Sequence, residues 1–434
     1  MAQITPVDSG SDGAEIQQRG WLSKFKLALR ALHHRNYRLY FSGQLISLIG
    51  TWMQNVAQSW LVYRLTGSSF LLGSIGFASQ IPIFLLAFVG GTAADRYSRH
   101  RIIVWAQVAS MFLALALAAL TLAGAVRIWH IFVLSALLGV VNAFDMTARQ
   151  AFVVELVGKE DLMNAIALNS SIFNGARVLG PAVAGLLIAG IGEGWCFFVN
   201  GISYIAVIAG LLLMKLAPQE VSARSQSALS NVIEGLSFVH RSRPIRAVLL
   251  LVGLVSLFGM SYSVLMPIVA DKVLHGGPRS MGILMGATGF GALAGSFFLA
   301  SRSNAQGLGK LIAVASAGFA SGLILFSTSR LVWLSMIFLV PVGFSLMVLM
   351  ACANTLIQMM VPDHLRGRVL ATHVWVFMGM APFGSLLAGS IAAHLGAPST
   401  VLVGGILCLM GAGIFASRLS RIQHFGLDRN GKLV

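Results

Sequence analysis

Twelve apolar stretches, each about 20 residues or longer and separated by short polar turns or longer linkers, constrain this chain more than any other feature. They lie near 39–63, 70–94, 102–124, 128–152, 164–190, 195–216, 247–270, 281–301, 308–327, 331–360, 368–394 and 399–419. A helix rises about 1.5 Å per residue, so about 20 residues cross a hydrocarbon layer roughly 30 Å thick. Lipid supplies no hydrogen-bond partner, so each run must satisfy its own backbone as a helix. The expected fold is an all-α membrane protein with twelve transmembrane helices. The fourth and tenth runs exceed the layer and are expected to tilt or project from it. A soluble alternative fails on composition: 57% hydrophobic and 10% charged residues cannot coat a chain of 434 residues with polar surface.

The net charge of +16 would point to nucleic acid in a soluble protein. Here the bases lie between apolar runs, so anionic membrane lipids and topology account for them, and no nucleic-acid partner is expected. With both termini inside, only Arg64, Arg127, Lys272, Arg279 and Arg330 fall on outer turns. Arg177 lies within a span, and the other 24 of the 30 Lys and Arg lie on the inner side. The positive-inside rule therefore places both termini in the cytoplasm. Residues 1–20 are polar, without the short apolar run and cleavage site of a signal peptide. Trp21, Leu22, Phe25, Leu29 and Leu32 recur at helical spacing, which fits an interfacial helix or a plain linker.

The spans divide into two six-helix halves. The expected organisation is a cytoplasmic segment 1–36, a first bundle 37–216, a linker 217–246, a second bundle 247–419 and a tail 420–434. In the linker, Leu229, Val232, Ile233, Leu236 and Val239 predict an amphipathic helix. A shift of 209 residues carries Leu45, Ser47, Leu48, Gly50 and Gly73 onto Leu254, Ser256, Leu257, Gly259 and Gly282. A shift of 204 carries Phe173, Gly175, Gly180, Ala184 and Gly185 onto Phe377, Gly379, Gly384, Ala388 and Gly389. Two nearly equal offsets, in order over matched spans, indicate parallel structural repeats and a pseudo-symmetric pair of bundles.

Polar residues inside such spans mark the chemistry. Span one carries Gln44, Ser47, Thr51, Gln54 and Gln58 at spacings of 3, 4, 3 and 4, with Asn55 beside them. Lipid penalises that stripe, so it faces protein or water, either as a wall of a substrate pathway or as hydrogen-bond glue between helices. Its length favours the pathway. Span four holds Asn142, Asp145 and Arg149, the last two spaced to pair on one face. Span five holds Asn174 and Arg177, then Gly180 and Pro181, where the chain can bend and pack closely. A guanidinium at that depth needs a carboxylate, carbonyls, water or an anionic substrate. Tyr262, Asn354, Gln358, His373 and Trp375 are the second half's polar or aromatic candidates, and Met347, Met350, Met359, Met360, Met378 and Met380 its adaptable apolar ones. Asp145 and His373 are the candidate proton sites. Cys196, Cys352 and Cys408 are isolated in apolar runs and fit packing. No phosphate loop, nucleophile motif or metal-ligand cluster occurs, so neither an enzyme nor a cofactor or metal is expected.

The turn between spans two and three reads Gly91-Thr-Ala-Ala-Asp95-Arg96-Tyr-Ser-Arg99-His-Arg101. It resembles the corresponding loop of the major facilitator superfamily, with Ser98 where that pattern has its second glycine. Gly180-Pro181 resembles the fifth-helix motif of exporters in that superfamily, with Leu186 in place of a further glycine. The segments His34–Phe41, Trp52–Gln54, Gln58–Gly67, Asn142–Glu155 and Val361–Arg368 are most similar to its enterobactin-exporter-like branch of bacterial efflux proteins. The resemblance implies a major facilitator fold in the bacterial inner membrane. It implies export of a small organic molecule, siderophore- or drug-like, by alternating access against proton entry. It also implies conformational control by Gly91, Asp95, Arg96, Arg99 and Arg101, by Asp145 with Arg149, and by Gly180 with Pro181 at the interface between halves. Uptake or lipid flipping by the same fold, or a non-transporting receptor or assembly factor, are the alternative readings.

Overall fold

The computed structural model describes residues 30–158, 160–216, 228–302 and 306–423, and contains helices and no strand among them. A short turn at Arg30–His33 leads into α1 (Arg35–Thr66), α2 (Ser69–Arg96), α3 (Arg99–Leu122), α4 (Ile128–Val157), α5 (Leu162–Ile191) and α6 (Glu193–Leu212). After the linker come α7 (Ala228–Arg241), α8 (Arg243–Val273), α9 (Gly277–Ala300), α10 (Leu308–Thr328), α11 (Val332–Met360), α12 (Asp363–Leu395) and α13 (Ala397–Gln423). Eleven of these are long and apolar enough to cross a membrane. The remaining long helix, α1, has 32 residues and falls short in apolarity because of its glutamines and asparagine. It packs on α5 and α6, where protein replaces lipid. Together these are the twelve helices of two six-helix bundles.

Overlength is not confined to the fourth and tenth spans. The helices α1 and α12 run to 32 and 33 residues. Their extra turns carry Arg35 and Arg38, or Asp363, Arg366 and Arg368, which can stand in the headgroup layer. The first described turn at Arg30–His33, the helix α7 and the α2–α3 turn share one end of the bundle, called here the basic end. The α1–α2 and α8–α9 turns mark the far end. At the far end Gly67 adopts φ 61° and its N–H closes on the Tyr63 carbonyl, ending α1 so that α2 can turn back.

Within the first half α1 packs on α5 and α6, α2 on α4, and α3 on α4 and α6; in the second, α11 packs on α9 and α10, and α13 on α8 and α10. The halves meet along two seams, α2 against α12 and α5 against α9. These seams exchange under the repeat. A methyl group on Gly73 would lie 2.9 Å from the Gly389 Cα, and one on Gly282 would lie 2.9 Å from the Gly185 Cα. Two of the glycine pairs that the sequence offsets relate, Gly73 with Gly282 and Gly185 with Gly389, thus permit the two backbone crossings, both in the far half of the molecule. Large apolar side chains such as Trp105 and Phe297 point outward, 72% and 67% exposed, as a lipid-facing surface requires.

The linker helix α7 forms over the predicted stretch and lies on α12. Gly235 sits against the Arg368 carbonyl, Glu234 pairs with Arg368, and Val239 is buried. Leu236, expected on the apolar face, is exposed. The side chains of Leu229, Val232 and Ile233 lie outside the described residues, as does the 21–32 amphipathic stretch up to residue 29.

Candidate functional site

Two adjoining cavities, of about 410 and 650 Å3, occupy the space between the helices. Both are lined by Asn55, Leu138, Asn142 and Arg177, so they meet there. The larger extends toward the basic end past Thr51, Ser47, Gln44 and Tyr40 of α1. The smaller extends toward the far end past Gln58, Ser59 and Val62. Helix α1 therefore supplies a polar wall along most of its length, and the opposing half contributes Met347, Thr288, Met285 and the middle of α8.

That middle of α8 is not regular helix. A π-helical turn at Val255–Gly259 is followed by a 3-10 turn at Met260–Ser263, and another π-helical turn covers Val269–Val273. Pro267 lacks an N–H and interrupts the ladder between them. Irregular backbone at membrane depth is tolerated where it borders a cavity. Here it turns Met260, Tyr262, Ser263, Val264 and Met266 into the smaller cavity.

Of the residues expected on the pathway, Gln44, Thr51, Asn55, Gln58, Asn142, Asn174, Arg177 and Tyr262 are brought to the cavities. Gln54 is not. It is buried, and its Oε1 accepts from Asn200 Nδ2 at 2.6 Å, tying α1 to α6. It sits at the edge of the polar arc, about 100° around the helix from Asn55, and the nearest face there is another helix. Asn354 and Gln358 line neither cavity, because that face of α11 leads away toward the basic rim, where the Gln358 carbonyl accepts from Arg366. His373 is buried off both cavities, with neither ring nitrogen bonded to a described residue. Trp375 stacks on Phe84 across the α2–α12 seam at 4.9 Å between centroids. Among the expected methionines only Met347 lines a cavity, while Met260, Met266 and Met285 do so unannounced. Gly180 packs on Trp52 of its own half, so the interface between halves is carried by Pro181 and Gly185, not by Gly180.

Asp145 pairs with Arg149, with nitrogen–oxygen distances of 2.6 and 3.0 Å, and accepts from Gln107 Nε2 at 3.1 Å. Arg149 also lies over the Tyr40 ring, 5.9 Å from its centroid. Asp145 does not meet the bases after Asp95. Arg99 instead pairs with Glu155, ten residues further along α4, about 15 Å nearer the rim. Asp95 and Arg96 are exposed and make no ion pair with a described residue, and Gly91 has open space around it. Arg101 borders an open apolar groove with Tyr97 and Trp105 on the outer face of α3 and α4. Arg177 pairs with no carboxylate among the described residues; its guanidinium lies over the Trp52 ring at 5.8 Å.

At the far end the halves are tied by Tyr63 of α1, whose hydroxyl donates to Asp271 Oδ2 of α8 at 2.6 Å, with Lys272 Nζ 6.0 Å from the same ring centroid. Arg64 beside it binds both oxygens of Glu193, at 2.7 and 3.3 Å, fixing the end of α1 to the start of α6. Sequence reasoning missed Asp271, and also Ser79 and Gln80 of α2. The available signals were an acid at the end of an apolar run, and an adjacent polar pair within one.

Two pseudo-symmetric helical bundles around a shared cavity with a polar α1 wall define a transporter of the major facilitator superfamily. The chain belongs to the family described as "Transmembrane secretion effector", whose model matches residues 27–429. Its similarity extends to the staphyloferrin A transporter of Staphylococcus aureus, 26% identical over 89% of this chain and 97% of that protein. The multidrug efflux pump Tap of Mycolicibacterium fortuitum is 28% identical, over 86% of this chain and 92% of that one. The enterobactin exporter EntS of Shigella boydii is 24% identical, over 89% and 90%. Among solved structures, the nucleoside transporter NupG superposes with a TM-score of 0.66 at 13% identity, over 90% of this chain and 98% of that one, a likeness of fold.

Proposed function

We propose that the protein is a secondary active exporter of a small organic molecule in a bacterial cytoplasmic membrane, with both termini in the cytoplasm. The observation that carries this reading is the asymmetric cavity. It runs between the halves from Tyr40 to Val62, while the Gly73–Gly389 and Gly185–Gly282 crossings and the Tyr63–Asp271 bond hold the far end together. In the basic half the α2–α12 seam is instead filled by side chains, Phe84 lying against Trp375 and Gly379, without such backbone contact. In this reading the basic end faces the cytoplasm and admits substrate. Rocking of the halves about the cavity opens the far end and closes the basic one. Asp95 with its neighbouring arginines acts at the rim that must close, and Asp145 carries the coupling proton, exchanging its bond to Arg149 for a proton as the surroundings change. The activities of the relatives, siderophore transport or export and multidrug efflux, support export of an organic molecule.

The test is transport in proteoliposomes with an imposed pH gradient. Asp145→Asn is expected to retain counterflow and to lose gradient-driven accumulation. Full accumulation by a folded Asp145→Asn protein removes Asp145 from the coupling step.

A further inference from the structure

The residues lining the two cavities include three charged groups: Asp145, Arg149 and Arg177. The first two are consumed by one another at 2.6 Å. Arg177 is left as the single uncompensated charge, at the place where the cavities meet. It makes no hydrogen bond or ion pair with any described residue, and its guanidinium lies over the Trp52 ring. A guanidinium at membrane depth is expensive without an anion, and an aromatic face compensates for only part of that cost. Its backbone is meanwhile fixed: the Arg177 carbonyl lies against Gly289 on the α5–α9 seam, where a methyl group would come within 2.7 Å. The residue is therefore anchored at the boundary between the halves, open to the cavity and lacking a counter-ion among the described residues.

We infer that the cavity recognises an organic anion, bound through a carboxylate or similarly placed acidic oxygens on Arg177, with an aromatic or apolar body lying against Trp52, Tyr262 and Met285. The guanidinium fork matches two oxygens in one plane. The flat rings and the methionine supply adaptable apolar surface, and the cavity volumes suit a drug-sized molecule. A cationic compound of the same size meets Arg177 with no free carboxylate to offset it, so the site selects by repulsion as well as attraction. The inference names the substrate class of the exporter proposed above and rests on that reading for transport, but not for binding.

The experiment uses the full chain in nanodiscs and three fluorescent probes that share one aromatic body: dansylglycine (anionic), dansylamide (neutral) and dansylcadaverine (cationic). Binding is read from dansyl emission. Dansylglycine is expected to bind about tenfold or more tighter than either other probe, since a charged hydrogen bond in a dry site is worth roughly that factor. Arg177→Gln should bring dansylglycine to the level of dansylamide and leave dansylamide unchanged, and Arg177→Lys should keep part of the preference. The rank order in the unaltered protein is decisive even where the glutamine variant fails to fold. Dansylcadaverine binding tighter than dansylglycine, absence of dansylglycine binding at millimolar concentration, or a folded Arg177→Gln protein that keeps the preference each overturn the inference. The transport reading is judged separately in proteoliposomes. Anion binding without movement of any probe defeats the exporter and leaves the site. Movement of dansylcadaverine alone does the reverse.

Discussion

Gln54 and Asn55 are neighbours in sequence with opposite employment. Asn55 borders both cavities, and Gln54 is spent on Asn200. Gln54→Leu leaves the buried Asn200 amide without its partner, so stability should fall by about 1–2 kcal/mol, within the range for leaving a buried polar group unsatisfied. Transport per folded molecule should be unchanged. Asn55→Leu should do the converse, altering substrate affinity with little effect on melting. Equal effects of the two substitutions on stability and affinity would contradict this division. The sequence made the polar stripe visible, and with it most of the wall that α1 presents. It could not say where the arc ended, because a cavity and a polar neighbour such as Asn200 tolerate glutamine alike. The same ambiguity put Asn354, Gln358 and His373 among the candidates, although none of them lines either cavity.

At the scale of elements, the repeat was the most legible part of the fold, because the glycines that let helix backbones touch leave matched positions in both halves. The irregular course of α8 was not legible. Its apolar composition suits an ordinary helix, and the π-helical turns depend on what the backbone borders. The last of those turns presents Asp271 to Tyr63. Tyr63→Phe removes that one bond between halves and nothing else of similar size. It should raise the population open at the far end by about threefold to thirtyfold, read as modification of a cysteine placed in the smaller cavity. An unchanged modification rate would show that the glycine crossings alone keep that end closed. The α2–α3 turn makes a second case. Asp95 is exposed and makes no ion pair with a described residue, and in the proposed cycle it acts when the rim closes. Asp95→Asn should slow turnover severalfold with substrate affinity unchanged. A large loss of affinity would place Asp95 in binding instead.

Across the whole molecule, charge and packing divide the two ends. The bases crowd one rim, and the tight glycine crossings and the tyrosine–aspartate bond close the other. That division, with one polar route between the halves, is what alternating access requires. It is most directly tested by the accessibility of a single cysteine at Asn55, where the two cavities meet. The buried Cys196, Cys352 and Cys408 are first replaced by serine. A membrane-impermeant maleimide is then applied from each face of oriented membranes, with and without an acid-outside pH gradient. The account predicts modification from the cytoplasmic face at rest and gain of modification from the outer face when the gradient is imposed. Modification from neither face, or from one face under every condition, would contradict it.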